Sequence, residues 1–241
     1  MTDTNKPSAF TRWAARFGWL CLLLVPLSVA SVHFGLLPFE IGLSVFALAC
    51  LLALVILLVL VIALLIPRLG TQRKVNLKAM LPAVVPALLL VVLMGSAGDA
   101  PVIHDVTTDT EEPPEFVMGI AQRGEESNTL AIKPDYIEQQ KVHYPELKTL
   151  KSSLSVSEAF ALASSVATEL DWEIYNSDPD AGLIEASSTS FWFRFVDDIV
   201  IRIRPDGEGS AIDLRSVSRV GKGDMGVNAK RINAFLSAFQ C

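Results

Sequence analysis

The chain has 241 residues, of which 51% are hydrophobic and 19% charged, and its formal net charge is −6. Residues 1–95 carry 7 Lys/Arg against 2 Asp/Glu, whereas residues 96–241 carry 13 against 24. This asymmetry points to two physical environments within one chain, and the acidic second part excludes a nucleic-acid-binding role, since a phosphate backbone repels it.

Three uncharged runs come first: Phe17 to Phe39, Ile41 to Pro67 and Ala79 to Gly98. Each reaches the roughly 20 residues that a helix needs to cross about 30 Å of hydrocarbon. Three transmembrane helices are therefore predicted, with residues 1–98 as the anchor. Pro26 in the first run and Pro82 and Pro86 in the third are tolerable in membrane helices. A buried core helix is the alternative for the third run, but only lipid or the other two spans could surround it. The positive start of the chain also fits a cleaved signal peptide. The length of the first run, and the hydrophobic run that follows at once, favour a retained anchor.

The loops give the anchor a direction. Lys6, Arg12 and Arg16 precede the first span, and Arg68, Arg73, Lys74 and Lys78 separate the second from the third. The first connection, HFGLLPFE, has neither Lys nor Arg. Basic loops stay on the cytoplasmic side, so the N-terminus is expected inside and everything after Gly98 outside. In a bacterium that is the inner membrane, with the following domain in the periplasm. No apolar run contains a charged residue, which argues against ion transport. Cys21 and Cys50 fall within spans and Cys241 is the last residue. No disulfide partner and no zinc spacing follows from them, so no metal and no cofactor is assigned.

Residues 99–150 read as an extended acidic strap. HDVTTDTEEPPEF, RGEESNT and KPDYIEQQKVHYPELKTL show no sustained period. Phe116, Ile120, Tyr136 and Tyr144 are spaced like anchors lying on a neighbouring surface. Residues 151–241 then read as an α+β globular domain. Ser155 and Glu158 form a capping box, followed by an apolar stripe of Val156, Ala159, Phe160, Ala163, Val166, Ala167 and Leu170. Four strands are expected near 172–176, 183–190, 197–204 and 210–218, with SDPDAG and PDGEG as turns. If Arg204 lies opposite Ala211, Ile203 meets Ile212 and Arg202 meets Asp213. A last helix over 225–239, capped by Asp224, places Met225, Ala229, Ile232, Phe235, Leu236 and Phe239 on its apolar face. The fold class is thus three transmembrane helices followed by four antiparallel strands with two helices on one face.

HDVTTDTEEPPEF, YPELKTL, FWFRFVDDIVIRI and IDLRSVSRVGKGDMGVNAKRINAFL resemble the bacterial family catalogued as domain of unknown function 1499. The resemblance covers residues 102–240 and leaves the spans outside. It implies a shared fold and no established activity.

Residues 181–241 carry 8 Lys/Arg and 7 Asp/Glu, a near-neutral, arginine-rich end after a strongly acidic front. Arg215 and Arg219 share a strand face, and Asp224, Asn228 and Arg231 form a helical stripe. VGKGD between them leads into a helix N-terminus, where free amides and cations suit a carboxylate or phosphate. Arg202, Arg215, Arg219, Asp224, Asn228 and Arg231 are therefore the candidate ligand-binding residues. Structural pairing is the competing reading: Arg202 with Asp213, Asp197 and Asp198 with Arg219 or Arg231, and Asp105 and Asp109 of the strap docked on the same arginines. Phe191, Trp192, Phe193 and Phe195 are too many aromatics for one strand face. They line a pocket, meet a partner, dip into the membrane interface, or pack under the strap.

Catalysis has weak support. Ser216, Ser218 and Asp213 lie close in sequence, and His104 with Asp105 could complete a triad in space, but no G-x-S-x-G elbow is present. Asp197 and Asp198, adjacent on a strand, face opposite sides and suit arginines better than a cation. No catalytic residue is assigned. The leading expectation is a membrane-anchored periplasmic binding or assembly module of the cell envelope. The rival is an enzyme acting on an anionic or lipid-linked envelope substrate. The expected partners are the lipid bilayer and an envelope protein or anionic ligand.

Overall fold

The computed structural model describes residues 7–66, 73–96 and 98–240. The expectations for Lys6, Arg68 and Cys241 lie outside the described residues. The chain divides into two compact units, one of residues 1–98 with Phe191–Arg194, the other of Asp99–Ser190 with Phe195–Cys241.

The first unit contains α1 (Ala9–His33), α2 (Phe39–Leu65) and α3 (Arg73–Ser96). All three are long and apolar enough to cross a membrane. The first begins before its uncharged run because Ser8 caps it, its side chain accepting from the Thr11 amide. Small side chains fill the helix contacts: Ala14, Gly18 and Cys21 on α1, Ala49, Cys50 and Ala53 on α2, Ala79, Ala83 and Ala87 on α3. Without a hydrophobic driving force in lipid, close backbone approach is what holds such helices together. Gly42 is the tightest point, since a Cβ there would fall 2.1 Å from Val32 Cγ2. Leu23, Leu27, Leu48, Leu58, Leu81 and Leu88 point outward, as a lipid-facing surface requires. In the same unit the Phe193 ring meets Phe46 edge-on at 5.4 Å, and Phe191 lies 5.7 Å from His33.

The second unit is built on a six-stranded antiparallel sheet. Its strands are β1 (Asp105–Thr107), β2 (Leu150–Ser152), β3 (Glu173–Asp178), β4 (Leu183–Thr189), β5 (Val196–Asp206) and β6 (Gly209–Ser218). The order is β1-β6-β5-β4-β3, with β2 also on β6. Arg204 pairs with Ala211, Ile203 with Ile212 and Arg202 with Asp213, which is the register that side-chain alternation demands. β1 and β2 run in line along one side of β6, opposite Val217–Arg215 and Ile212–Ser210 respectively. The chain leaves that line after β1, makes a long excursion, and resumes it at Leu150.

The two faces of the sheet differ. Ile199, Ile201, Ile203, Ile212 and Leu214 pack against α6 (Val156–Glu169) and α7 (Val227–Phe239) in the main core. Trp172 stacks on Phe235 there at 5.5 Å. Each such fully buried side chain contributes about 1.5–3 kcal/mol. The capping box at Ser155 and Glu158 is formed. On the opposite face, the strap lays Phe116 and Leu130 over Val200, Val217 and Leu183. Between β3 and β4, Gly182 is in the left-handed region at φ 65°, and a Cβ there would lie 2.2 Å from the Ile203 carbonyl oxygen.

Four expectations need correction. The sheet has six strands rather than four, because β1 and β2 are three residues each, too short for alternation to register. The stretch 99–150 is more than a strap: besides those strands it holds α4 (Gly119–Gln122) and α5 (Pro134–His143). Of its anchors, Phe116 is buried and Tyr136 and Tyr144 pack on the core, but Ile120 is exposed. The last helix starts at Val227, since Met225 and Gly226 both take positive φ, which turns Met225 outward to 54% exposure.

Candidate functional site

The polar face of the sheet is an arginine ladder clasped by the strap. At its lower rungs, Arg202 and Arg204 both reach Asp213 Oδ2, at 3.1 and 2.8 Å, and Asp109 Oδ2 of the strap, at 2.9 and 3.2 Å. Asp213 is fully buried and also accepts from the hydroxyls of Thr108 and Thr149. Burial raises the Asp109 carboxyl, but the amides of Glu112 and Glu111 and the two arginines outweigh it and hold it below the ordinary carboxylate range. One rung up, Arg215 grips Asp105 bidentately, Nε to Oδ1 at 2.9 Å and Nη2 to Oδ2 at 2.7 Å. Its remaining N–H groups donate to the carbonyls of Leu130 and Pro114. At the top, buried Asp198 takes two bonds from Arg219, at 3.0 and 2.7 Å, and a third from Arg123. Burial lowers Arg123, opposed by Asp198; its hydrogen bonds to Asp198 raise Arg219.

A second polar cluster lies where α7 meets the other sheet face. Arg231 donates to Asp197 Oδ2 at 2.6 Å, Ser216 Oγ at 3.0 Å and Asn228 Oδ1 at 2.5 Å. Asn228, fully buried, donates to the His104 carbonyl and to Ser218 Oγ. The helix start is already occupied by a carboxylate from the chain itself. Asp224 accepts from the amides of Gly226 and Asn228, both at 2.8 Å. Burial raises the Asp224 carboxyl, and those two amides oppose the rise.

The six nominated residues thus divide between two sheet faces. Arg202, Arg215 and Arg219 lie under the strap; Asp224, Asn228 and Arg231 lie beside α7. Each nominated arginine has at least one carboxylate partner: Arg202 shares Asp213 and Asp109 with Arg204, Arg215 holds Asp105, Arg219 shares Asp198 with Arg123, and Arg231 holds Asp197. The aromatic segment also divides. Phe191–Arg194 belongs to the helical unit, with Phe191 and Trp192 exposed and Phe193 buried, whereas Phe195 belongs to the sheet domain.

Sequence reasoning passed over Arg123, Glu185 and Gln140. Glu185 is fully buried, and its oxygens gather the amides of Val117, Met118 and Gly119 at 2.8–2.9 Å and Asn176 Nδ2 at 2.6 Å. Gly119 is required there: a Cβ would come within 2.9 Å of Tyr175 Oη and 2.8 Å of the Phe116 ring. Tyr175 Oη is buried with no hydrogen-bond partner among the described residues, and its ionisation is pushed up by burial, then by Asp198 and Glu185. Lone polar residues carry no periodic signal that would single them out.

His104 and Ser218 do not form a triad. The His104 ring lies edge-on to Tyr136 at 5.0 Å, and its Nδ1 has no partner among the described residues. Burial lowers the His104 pKa from 6.5, and Lys133 adds to the effect. The unfolded chain therefore takes up this proton first as pH falls. The stabilisation is fully present above pH 6.5 and is lost as pH drops through and below that value. Urea unfolding is expected to show wild type weakening from about pH 7.5 to 5.5, and His104→Asn losing much of that slope.

Among the described residues no group of three or more His, Cys, Asp or Glu side chains could hold a metal ion. No curated protein matches the chain. A family model described as "Protein of unknown function (DUF1499)" matches residues 105–239, which spans the sheet, the strap and α7 and is more than half of the chain. The chain therefore belongs to this family, DUF1499, carried here behind three candidate membrane spans.

Proposed function

We propose that the protein is a multi-pass component of the bacterial inner membrane whose C-terminal domain works in the periplasm as a binding or assembly module of the cell envelope. The orientation is supported by Arg12, Arg16, Arg73, Lys74 and Lys78 flanking one side of the spans, against a first connection without Lys or Arg. The observation that carries the module reading is the fate of the arginines. Their charge is answered inside the domain, which supports a structural role for them, and among the described residues after Gly98 the exposed aromatic side chains are Phe191 and Trp192, at 75% and 53% exposure, on the segment that belongs with the helical unit. Exposed aromatics of this size mark contact surfaces. The cavity beside the strap, about 580 Å³, has Glu111, Glu112 and Glu115 in its lining with Arg202. That acidity disfavours the rival, an enzyme for anionic substrates.

The reading is tested with a photo-crosslinking residue in place of Trp192 in the full chain, in membranes. A discrete protein adduct that disappears with Phe191→Ser is the expected result. Adducts to lipid alone, or none, would overturn the module reading. A periplasm-dependent reporter fused after Cys241 checks the orientation, which an inactive fusion would reverse.

A further inference from the structure

At the end of the helical unit where α1 and α3 begin, a cleft of about 300 Å³ opens between the two helices. Arg12, Arg16 and Lys78 rim it, and Ala15, Val75 and Ala79 form its walls. All three cations are exposed. Arg12 donates to the Pro7 carbonyl at 2.8 Å, and the Arg16 guanidinium rests over the Trp13 ring at 5.1 Å. Among the described residues no carboxylate pairs with any of them. This is the reverse of the globular domain, where each nominated arginine is matched by an aspartate.

The floor of the cleft is fixed. Thr11, buried, donates its hydroxyl to the buried Asn76 side chain at 2.8 Å, tying α1 to α3 within the first turn of each. Ser8 braces Thr11 through its hydroxyl, also at 2.8 Å. The cations are therefore mounted on two helices that are tied together at their starts, where the apolar runs begin. Apolar walls below three uncompensated cations suit an anion that carries hydrocarbon chains. They suit a free inorganic anion poorly, since it would have to shed water against alanine and valine.

We propose that this cleft binds the phosphate headgroup of an anionic phospholipid, with Arg12, Arg16 and Lys78 as the headgroup ligands and the α1–α3 groove receiving the glycerol and upper acyl chains. Basic pockets between membrane helices are a recurring means of holding such headgroups. The inference requires the three helices to span a bilayer and does not depend on which way the protein faces.

The test uses the full chain in detergent micelles, titrated with phosphatidylglycerol or phosphatidylcholine of matched acyl chains and read by native mass spectrometry. Phosphatidylglycerol is expected to bind wild type at least about tenfold more tightly. Arg16→Gln with Lys78→Gln should weaken it roughly thirtyfold, two neighbouring cations being removed. Arg73→Gln with Lys74→Gln removes the same charge from the same helix end and should cost no more than about threefold, because neither side chain lines the cleft. Equal losses in the two double variants would reduce the effect to diffuse attraction and overturn the site. Equal binding of the two lipids by wild type would do the same without any substitution. Millimolar inorganic phosphate should fail to displace the lipid; displacement would reassign the cleft to a free anion.

Discussion

Asp198→Ala is expected to destabilise the sheet domain by about 3–5 kcal/mol, the usual loss when one side of a buried ion pair is removed. Asp198 is fully buried and answers two guanidiniums, Arg219 through both its Nε and Nη2 and Arg123 through Nη1. The Arg123 side chain is only 5% exposed, so it cannot turn to water when its partner is lost. Denaturant unfolding of the full chain in micelles, followed at Trp172, measures the loss. The loss comes from the uncompensated charge rather than from the pair's intrinsic value. Replacing all three residues, with Arg123→Met, Asp198→Leu and Arg219→Met, should recover most of the stability, as apolar replacement of buried ion clusters does. A triple variant as weak as Asp198→Ala would show that the pairing itself carries the energy.

Glu185→Ala should match that loss, at about 3–5 kcal/mol, by a different route. Removing this carboxylate orphans the amides of Val117, Met118 and Gly119 and the side-chain amide of Asn176. Each buried donor left unpaired costs about 1–3 kcal/mol, moderated where the strap can lift to reach water. Lifting has its own signature. Hydrogen exchange should accelerate at residues 117–122 while β5 and β6 stay protected. Glu185→Gln keeps the shape but turns an N–H group toward donors, so it should fail to rescue. A Gln variant with wild-type exchange across 117–122 would refute the cage.

Much of the globular core could be read from the sequence because its signals are local and periodic. Alternation along Ile199–Arg204 and Ile212–Arg215 set both the buried face and the register. Once register was fixed, Arg202 had to meet Asp213. The capping box needed only Ser155 and Glu158, three residues apart. The strap was different. β1 and β2 exist because β6 offers them an edge, and α5 is mostly polar and held by what it touches. Glu185 looks like any outward-facing strand residue until the strap closes over it. The candidate site suffered from the same limit in reverse. The arginine positions were legible, but whether their charge was free or already answered depended on carboxylates up to 110 residues away, such as Asp105 for Arg215. The aromatic segment was legible as surplus to one strand face, while its division between two units was not.

The outer margins of the sheet have a consequence for how any partner could approach. Along β1, Gln140 of α5 donates Nε2 to the Thr107 carbonyl at 2.6 Å and accepts the Thr107 amide at 2.9 Å. Its side-chain amide thereby occupies the place that one peptide of a neighbouring strand would take. At the far margin β3 is broken by a bulge between Ile174 and Asn176. A plugged edge and a kinked edge are both poor templates for strand addition. Both of these margins are thus poor places for a second copy of the chain to extend the sheet by strand pairing.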